Sequence, residues 1–197
     1  GGLIKVYTRS PLKYQGTSIS VGSGSYLTSN AGISHYNKLT DNLGISLSAN
    51  YNYTDGYNTN HYNDTKADKM HALTSRFRLE WRKSPKLHIG VNSSFDFTDQ
   101  NGYPYAPYDV ESHSVGNINY DSEGLYKRLI YTSGLTINSK QEKFEINSQT
   151  SFQYLDDKQG IDQDFTPQAI YNANQYQTQH MVSEEINIKS RSDSWYS

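Results

Sequence analysis

The chain has 197 residues, of which 34% are hydrophobic and 19% charged, with 18 tyrosines, no cysteine and a formal net charge of −2. Its mean hydropathy is −0.83. A membrane-spanning helix needs roughly 20 nearly continuous apolar residues, and the longest apolar stretches, such as Leu129-Ile130-Tyr131, are broken by polar residues almost at once, so any membrane residence must be through strands. The 18 basic and 20 acidic residues are scattered rather than clustered, which leaves no footprint for nucleic acid. Without cysteine there is neither a disulfide framework nor a thiolate metal site.

Taken in chain order, the pattern is one of alternation. Side chains along a strand point to opposite faces, so a half-buried strand repeats its apolar residues at every second position. Weak versions of this occur at 17 to 25 and 31 to 38. From 45 to 54 it is nearly perfect, with Ile45, Leu47, Ala49, Tyr51 and Tyr53 opposing Ser46, Ser48, Asn50, Asn52 and Thr54. The stretch 73 to 82 sets Leu73, Phe77, Leu79 and Trp81 against a ladder of Arg76, Arg78, Glu80 and Arg82. From 87 to 97 the apolar face holds Leu87, Ile89, Val91, Phe95 and Phe97. A weaker run covers 127 to 138, a clear one with Phe144, Ile146, Phe152 and Tyr154 covers 144 to 154, and a last weak one covers 181 to 189.

Each clear run is about ten residues, the length a tilted strand needs to cross a bilayer. Aromatic residues gather at run ends, as at the interfaces of membrane barrels. A single run of this kind also fits a soluble β-sandwich with one wet face. The connections separate the two. Short links at 39 to 44, 83 to 86 and 139 to 143 alternate with long ones at 55 to 68, 99 to 123 and 156 to 179. In an up-and-down meander this sorting puts tight turns at one rim and long loops at the other, as in transmembrane barrels; Greek-key connections are not expected to sort this way. The expected fold is therefore all-β, an antiparallel up-and-down meander forming part of a transmembrane β-barrel.

Two groups carry candidate chemistry. Tyr103, Tyr105 and Tyr108, with Pro104 and Pro107, form an aromatic cluster on a stiffened loop, able to stack on a chelate, corrin or sugar or to pack against neighbouring loops; Tyr57, His61 and Tyr62 in the preceding long loop are candidates of the same kind. The Arg76, Arg78, Glu80 and Arg82 ladder faces the lumen, either as the wet side of a strand or as a contact for an enclosed domain or an anionic ligand. Asp162-Gln163-Asp164 with Asp156-Asp157 reads as a solvated acidic loop, with a cation site as the less favoured alternative because no octahedral ligand set is complete. The six histidines are dispersed and no nucleophile elbow is present, so no enzyme is expected, and no cofactor or resident metal. Residues 1 to 20 lack the basic start and apolar core of a signal peptide.

The opening GGLIKVYTRSP, through Gly1, Gly2, Ile4, Val6, Thr8, Arg9 and Pro11, resembles the end of the plug domain of TonB-dependent outer-membrane receptors. Further along, GYPYAPYD (102 to 109), SFQYLDDKQGIDQDFTP (151 to 167) and HMVSEEINIKSRSD (180 to 193) look like extracellular loops and a following strand of such receptors. The resemblance implies a barrel of about 22 strands closed by its own plug, with residues 1–11 as the last plug strand and 12–197 as the first eight or so strands of the wall. It implies residence in the outer membrane of a Gram-negative bacterium, surrounded by outer-membrane lipid. It also implies uptake of a small-molecule or metal-chelate ligand, whether ferric siderophore, haem, cobalamin or glycan, energised by the TonB complex through a segment upstream. A secreted β-rich adhesin or glycan-binding module, and a passive porin, are the alternatives. Open sheet edges expose unpaired backbone groups, so residues 1–197 alone are not expected to form a closed, heat-modifiable barrel.

Overall fold

A computed structural model describes residues 8–190. The chain is all-β. Among the described residues twelve strands form: β1 (Gly16–Ser23), β2 (Ser29–Thr40), β3 (Leu43–Thr54), β4 (Thr59–Asn60), β5 (Thr65–Lys66), β6 (Met70–Ser84), β7 (Leu87–Gln100), β8 (Tyr108–Asp109), β9 (Ser114–Val115), β10 (Leu125–Lys140), β11 (Phe144–Asp162) and β12 (Asn172–Ser190). Eight of them form one sheet in the order β1-β2-β3-β6-β7-β10-β11-β12, every pair antiparallel. The pairs β4-β5 and β8-β9 are separate two-stranded ribbons inside loops. No described helix is long and apolar enough to cross a membrane, which says nothing about strands.

All eight expected runs are strands, and most are longer than the alternation indicated. The largest correction concerns the link expected at 156 to 179. Only residues 163–171 are loop; Asp156–Asp162 continues β11 and Asn172–Gln179 begins β12, paired in unbroken register. Hydropathy could not reveal this extension, because both of its faces are polar and alternation disappears. The rims are sorted largely as expected. Connections 24–28, 55–69, 101–124 and 163–171 lie at one end of the sheet, and the tight turns at 41–42, 85–86 and 141–143 at the other. The first of the upper links is short, a hairpin with Tyr26 and Leu27 both at positive φ, as the primed two-residue turns require.

Register decides which residues share a face. Leu47 lies opposite His35 and Phe77, Phe77 opposite Ser93, Ser93 opposite Ser133, Ser133 opposite Phe152, and Phe152 opposite Val182. One residue along, Ser34, Ser48, Arg76, Ser94, Thr132 and Gln153 make the corresponding row on the other face. The first face carries the leucines, isoleucines and aromatics; the second is almost wholly polar. Register slips only beside two of the tight turns, between Lys38 and Thr40 and between Arg82 and Ser84, where bulges are common.

No second layer covers the apolar face among the described residues. Leu47 is 59% exposed and Val182 72%. Among the described residues the only buried hydrophobic ones are Ala67 and Tyr120, and both belong to loops. A water-soluble sandwich buries the apolar faces of its strands; here those faces stand open. The polar face is instead concave: one hollow touches Tyr36, Ser48, Arg76, Ser94, Thr132 and Gln149 on six neighbouring strands. On the apolar face the Glu184 carboxylate accepts hydrogen bonds from the Thr150 hydroxyl at 2.5 Å and the Ser148 hydroxyl at 2.7 Å across the β11-β12 pair.

The segment leading into β1 lies on the polar face. Thr8–Ser10 has no regular structure and Pro11–Lys13 is a turn, so this part of the expected plug strand is not a strand; Gly1–Tyr7 lie outside the described residues. Pro11 is fully buried. It can sit there because Gly44 opposite has no side chain: a Cβ at Gly44 would lie 2.9 Å from the Pro11 carbonyl carbon.

Candidate functional site

Two places concentrate chemistry, one on the concave face and one at the loop rim. On the concave face the charge ladder is partly drawn together. Glu80, 3% exposed, accepts a hydrogen bond from the Ser10 hydroxyl at 2.5 Å and one from Arg82 at 3.1 Å, and pairs with Arg78 at 3.6 Å. His88 Nε2 lies 3.5 Å from the same carboxylate. Arg78 donates to the Thr8 hydroxyl, Arg9 stacks on Tyr14 at 4.5 Å, and Tyr14 meets Tyr36 edge-on at 5.1 Å. Register explains the crowding, since Glu80 lies between Gly44 and Gly90, which leave room for the strap Thr8–Gln15 to approach. Arg76 is apart, on the wall of the hollow. Thus Arg78, Glu80 and Arg82 form a clamp on the incoming chain, and Arg76 does not join it.

At the loop rim the six ligand candidates fall into separate places, with Tyr62 exposed in the 55–69 loop. Tyr103 packs on Tyr105 at 6.2 Å and on Tyr126 at 5.8 Å, and Tyr105 packs on Phe165 at 5.6 Å. Tyr103, Tyr105 and Phe165, together with Tyr120 and Asp162, line a narrow cleft between the loops. Tyr108 stands away from it on ribbon β8-β9, its hydroxyl 3.5 Å from His113 Nδ1. Tyr57 meets Tyr26 of the first hairpin at 4.5 Å. His61 is exposed, and its backbone N–H donates to the Ile118 carbonyl at 2.8 Å. Sequence reasoning missed Tyr126, Phe165, Tyr26 and Asp162 as partners, because each comes from a different connection or strand end and only folding brings them together.

The loops hold one another in place. Asn60, 1% exposed, clamps Tyr120 in both directions: its amide donates to the Tyr120 carbonyl at 2.8 Å and its oxygen accepts from the Tyr120 N–H at 3.3 Å. Gly102 and Gly124 let the two ends of the 101–124 loop cross, since a Cβ on Gly102 would sit 2.8 Å from the Gly124 Cα. The Asp121 N–H donates to the Thr166 carbonyl at 3.2 Å and the Ser122 N–H to Asp162 at 3.4 Å, which ties this loop to 163–171.

Asp156, Asp157, Asp162 and Asp164 are not assembled as a cation site. Asp156 and Asp157 lie on opposite faces of β11, and the Asp162 carboxylate takes the N–H groups of Asp164, Phe165 and Ser122. No group of three metal-ligating side chains occurs among the described residues. Around the loops, burial and the Asp162 carboxylate push the Tyr120 phenol up. Burial and the adjoining Asp162 carboxyl push Asp121 up as well, and one Asp121 oxygen is buried without a donor. In contrast, the Thr166 hydroxyl and backbone N–H groups hold Asp164 down, and the N–H groups of Ser112 and Glu111 hold Asp109 down.

A raised native pKa means that Asp121 holds its proton to a higher pH folded than unfolded, so the stability tied to its protonated form is present at low pH and lost as pH rises through the raised value. Asp121→Asn should therefore raise the thermal midpoint of the full-length protein in detergent at neutral pH. The gain should shrink as pH falls and the wild-type carboxyl takes up its proton; a pH-independent gain in thermal scans would contradict this origin.

The loops are also acidic as a group. Asp55, Asp64 and Asp68 lie in 55–69, Asp109, Glu111, Asp121 and Glu123 in 101–124, and Asp164 in 163–171, against Lys66 and Lys69 alone. The strand ends beside these loops add Lys127, Arg128 and Lys158 against Asp96, Asp99, Asp156, Asp157 and Asp162; at the opposite rim the turns and strand ends together hold Lys38, Arg82, Lys83, Lys86, Lys140, Lys143 and Lys189 against Asp41, Glu80, Glu142 and Glu145. Comparison with known proteins adds no relative: no protein-family model matches the chain, and no curated protein matches it.

Proposed function

We propose that this chain is the first part of the wall of an outer-membrane β-barrel receptor, with its apolar face in lipid, its polar face around an enclosed plug, and its long loops capturing a scarce nutrient for TonB-energised uptake. The observation that carries this reading is the open apolar face of the eight-stranded sheet, whose aliphatic and aromatic rows run from strand to strand with no protein layer over them. Lipid is the environment in which such a face costs nothing. The strap Thr8–Gln15 on the concave side supports a plugged receptor over a passive porin, because the chain enters β1 from inside the hollow, clamped to Glu80. Catalysis plays no part in the reading.

The loops then stand at the extracellular rim and the tight turns at the periplasmic one. A small cleft lined by Tyr103, Tyr105 and Phe165, with Tyr26 and Tyr57 beside the first hairpin, offers ring faces to a ligand. The adhesin reading requires the apolar face to be covered, and nothing described covers it. The test is genetic and biochemical. The full-length protein should fractionate with the outer membrane and run as a heat-modifiable barrel. A deletion strain should lose growth on one defined source among ferric chelates, haem, cobalamin and glycans, and loss of the energising complex should reproduce that defect. A protein found secreted and water-soluble, with no nutrient defect on deletion, would overturn the proposal.

A further inference from the structure

We infer that Arg76 receives a carboxylate from the enclosed domain upstream of Gly1, as a second anchor beside the Glu80 clamp. This names a partner for one residue of the concave face and rests on the receptor reading above. The ladder on that face of β6 holds three arginines and one glutamate. Glu80 is shared by Arg78 and Arg82, whereas Arg76 is exposed and makes no hydrogen bond or ion pair among the described residues. Its register neighbours are Ser48 and Ser94. The hollow it faces is lined also by Thr8, Arg78 and Thr132, and by no described carboxylate. Asp96, opposite Thr74 on β7, is outside that lining, and its carboxylate accepts the Ser94 hydroxyl at 3.4 Å.

The path of the strap makes the incoming chain the occupant. Ser10 donates to Glu80 and Arg78 donates to Thr8, so two residues back along the strap corresponds to two residues back along β6. Arg76 is the next position on that face. The seven residues before Thr8, GGLIKVY, include no acid, so the carboxylate comes from further upstream. Chemistry sets its sign. A guanidinium presents five N–H donors in a fixed fork, and a carboxylate accepts two of them in parallel. Serine and threonine hydroxyls can accept single bonds but carry no compensating charge. A domain seated over Arg76 without an acid would strand a cation away from water, which is costly.

The test puts a photo-crosslinker in place of Arg76, as Arg76→p-benzoylphenylalanine, in the full-length receptor in outer-membrane vesicles, and maps the adduct by mass spectrometry. The adduct should fall in a peptide upstream of Gly1 that contains Asp or Glu. In the detergent-solubilised receptor, Arg76→Glu should quicken hydrogen exchange in that peptide by about tenfold, the effect of losing one charge-assisted pair. Arg76→Lys keeps the charge without the fork and should lose less. Lys13 and Tyr14 should exchange as in wild type, because the strap is held through Glu80. Changing the acid of the crosslinked peptide to Lys in the Arg76→Glu background should restore slow exchange. Adducts confined to residues 1–197, or an upstream peptide indifferent to Arg76→Glu, overturn the inference. So does citrate slowing exchange around Arg76 while that peptide ignores the charge reversal, since a soluble anion is then the occupant. Failure of the receptor reading is distinguishable, because the full-length chain then lacks heat-modifiable barrel behaviour, whatever Arg76 does.

Discussion

Phe77→Lys is expected to destabilise the folded wall by about 2–4 kcal/mol in a bilayer, the cost of a cation on the lipid face near the midplane. Phe77 occupies the middle of β6 on the apolar face, between Leu73 and Leu79, with Leu47 and Ser93 on either side. Ser94→Lys, one position out of phase on β7 and opposite Arg76 and Thr132, should cost far less, since its ammonium enters the watered concavity. Equilibrium unfolding of the full-length protein in liposomes measures both. Equal costs for the two lysines would mean that the faces are not segregated as proposed. In a sandwich the same Phe77 change would be severe for a different reason, burial of a charge in a dry core, so unfolding must be read together with the accessibility measurement described last.

The second large effect belongs to Glu80. Removing its carboxylate leaves Arg78, Arg82 and His88 facing one another on the concave wall and deprives the Ser10 hydroxyl of its acceptor. Breaking a buried pair costs about 3–5 kcal/mol; with Arg82 about half exposed, solvent screens part of that, and about 3 kcal/mol is expected for Glu80→Ala. The loss should be local. Hydrogen exchange should quicken at Lys13 and Tyr14, whose N–H groups donate to the Ser10 carbonyl, while β6 and β7 stay protected. Glu80→Gln keeps an acceptor for Ser10 and should lose less. Unchanged exchange in the strap after Glu80→Ala would show that Pro11, seated over Gly44, holds the segment without help from the carboxylate.

How much of this was legible beforehand follows from what alternation can encode. The strands with one apolar and one polar face, such as Leu43–Thr54 and Met70–Ser84, declare themselves because burial or lipid on one side and water on the other impose a period of two. The upper parts of β11 and β12 carry polar residues on both faces. Their pairing, Asp156 with Thr178 and Lys158 with Tyr176, leaves no periodic trace, so they read as loop. The clamp was half visible: the charges of 76 to 82 stood out, but nothing in the chain announced that Gly44 would admit Pro11 and bring Ser10 to Glu80, seventy residues away.

The rim was harder still. Tyr103 and Tyr105 stood out by composition, and they do sit together, but their partners Tyr126 and Phe165 are positioned by the crossing at Gly102 and Gly124 and by the tie from Asp121 to Thr166. Tyr108, Tyr57 and His61, selected by the same criterion, went elsewhere. Proximity in sequence is a poor guide to which loop residues meet, because loop ends are fixed by the strands while their tips are fixed by one another. Net charge was similarly uninformative until the topology sorted acidic loops to one rim and basic turns to the other.

The central claim, an apolar face in lipid and a polar face in an aqueous lumen, is tested most directly by a nitroxide scan along Leu73–Arg82 in the full-length protein reconstituted in bilayers. The account predicts a period of two. Labels at 73, 75, 77, 79 and 81 should be accessible to oxygen, which partitions into lipid, and those at 74, 76 and 78 to a water-soluble nickel chelate or else shielded by the strap and plug. If the odd-numbered labels are instead immobilised and closed to both reagents, another protein layer covers that face and the wall is not a membrane wall.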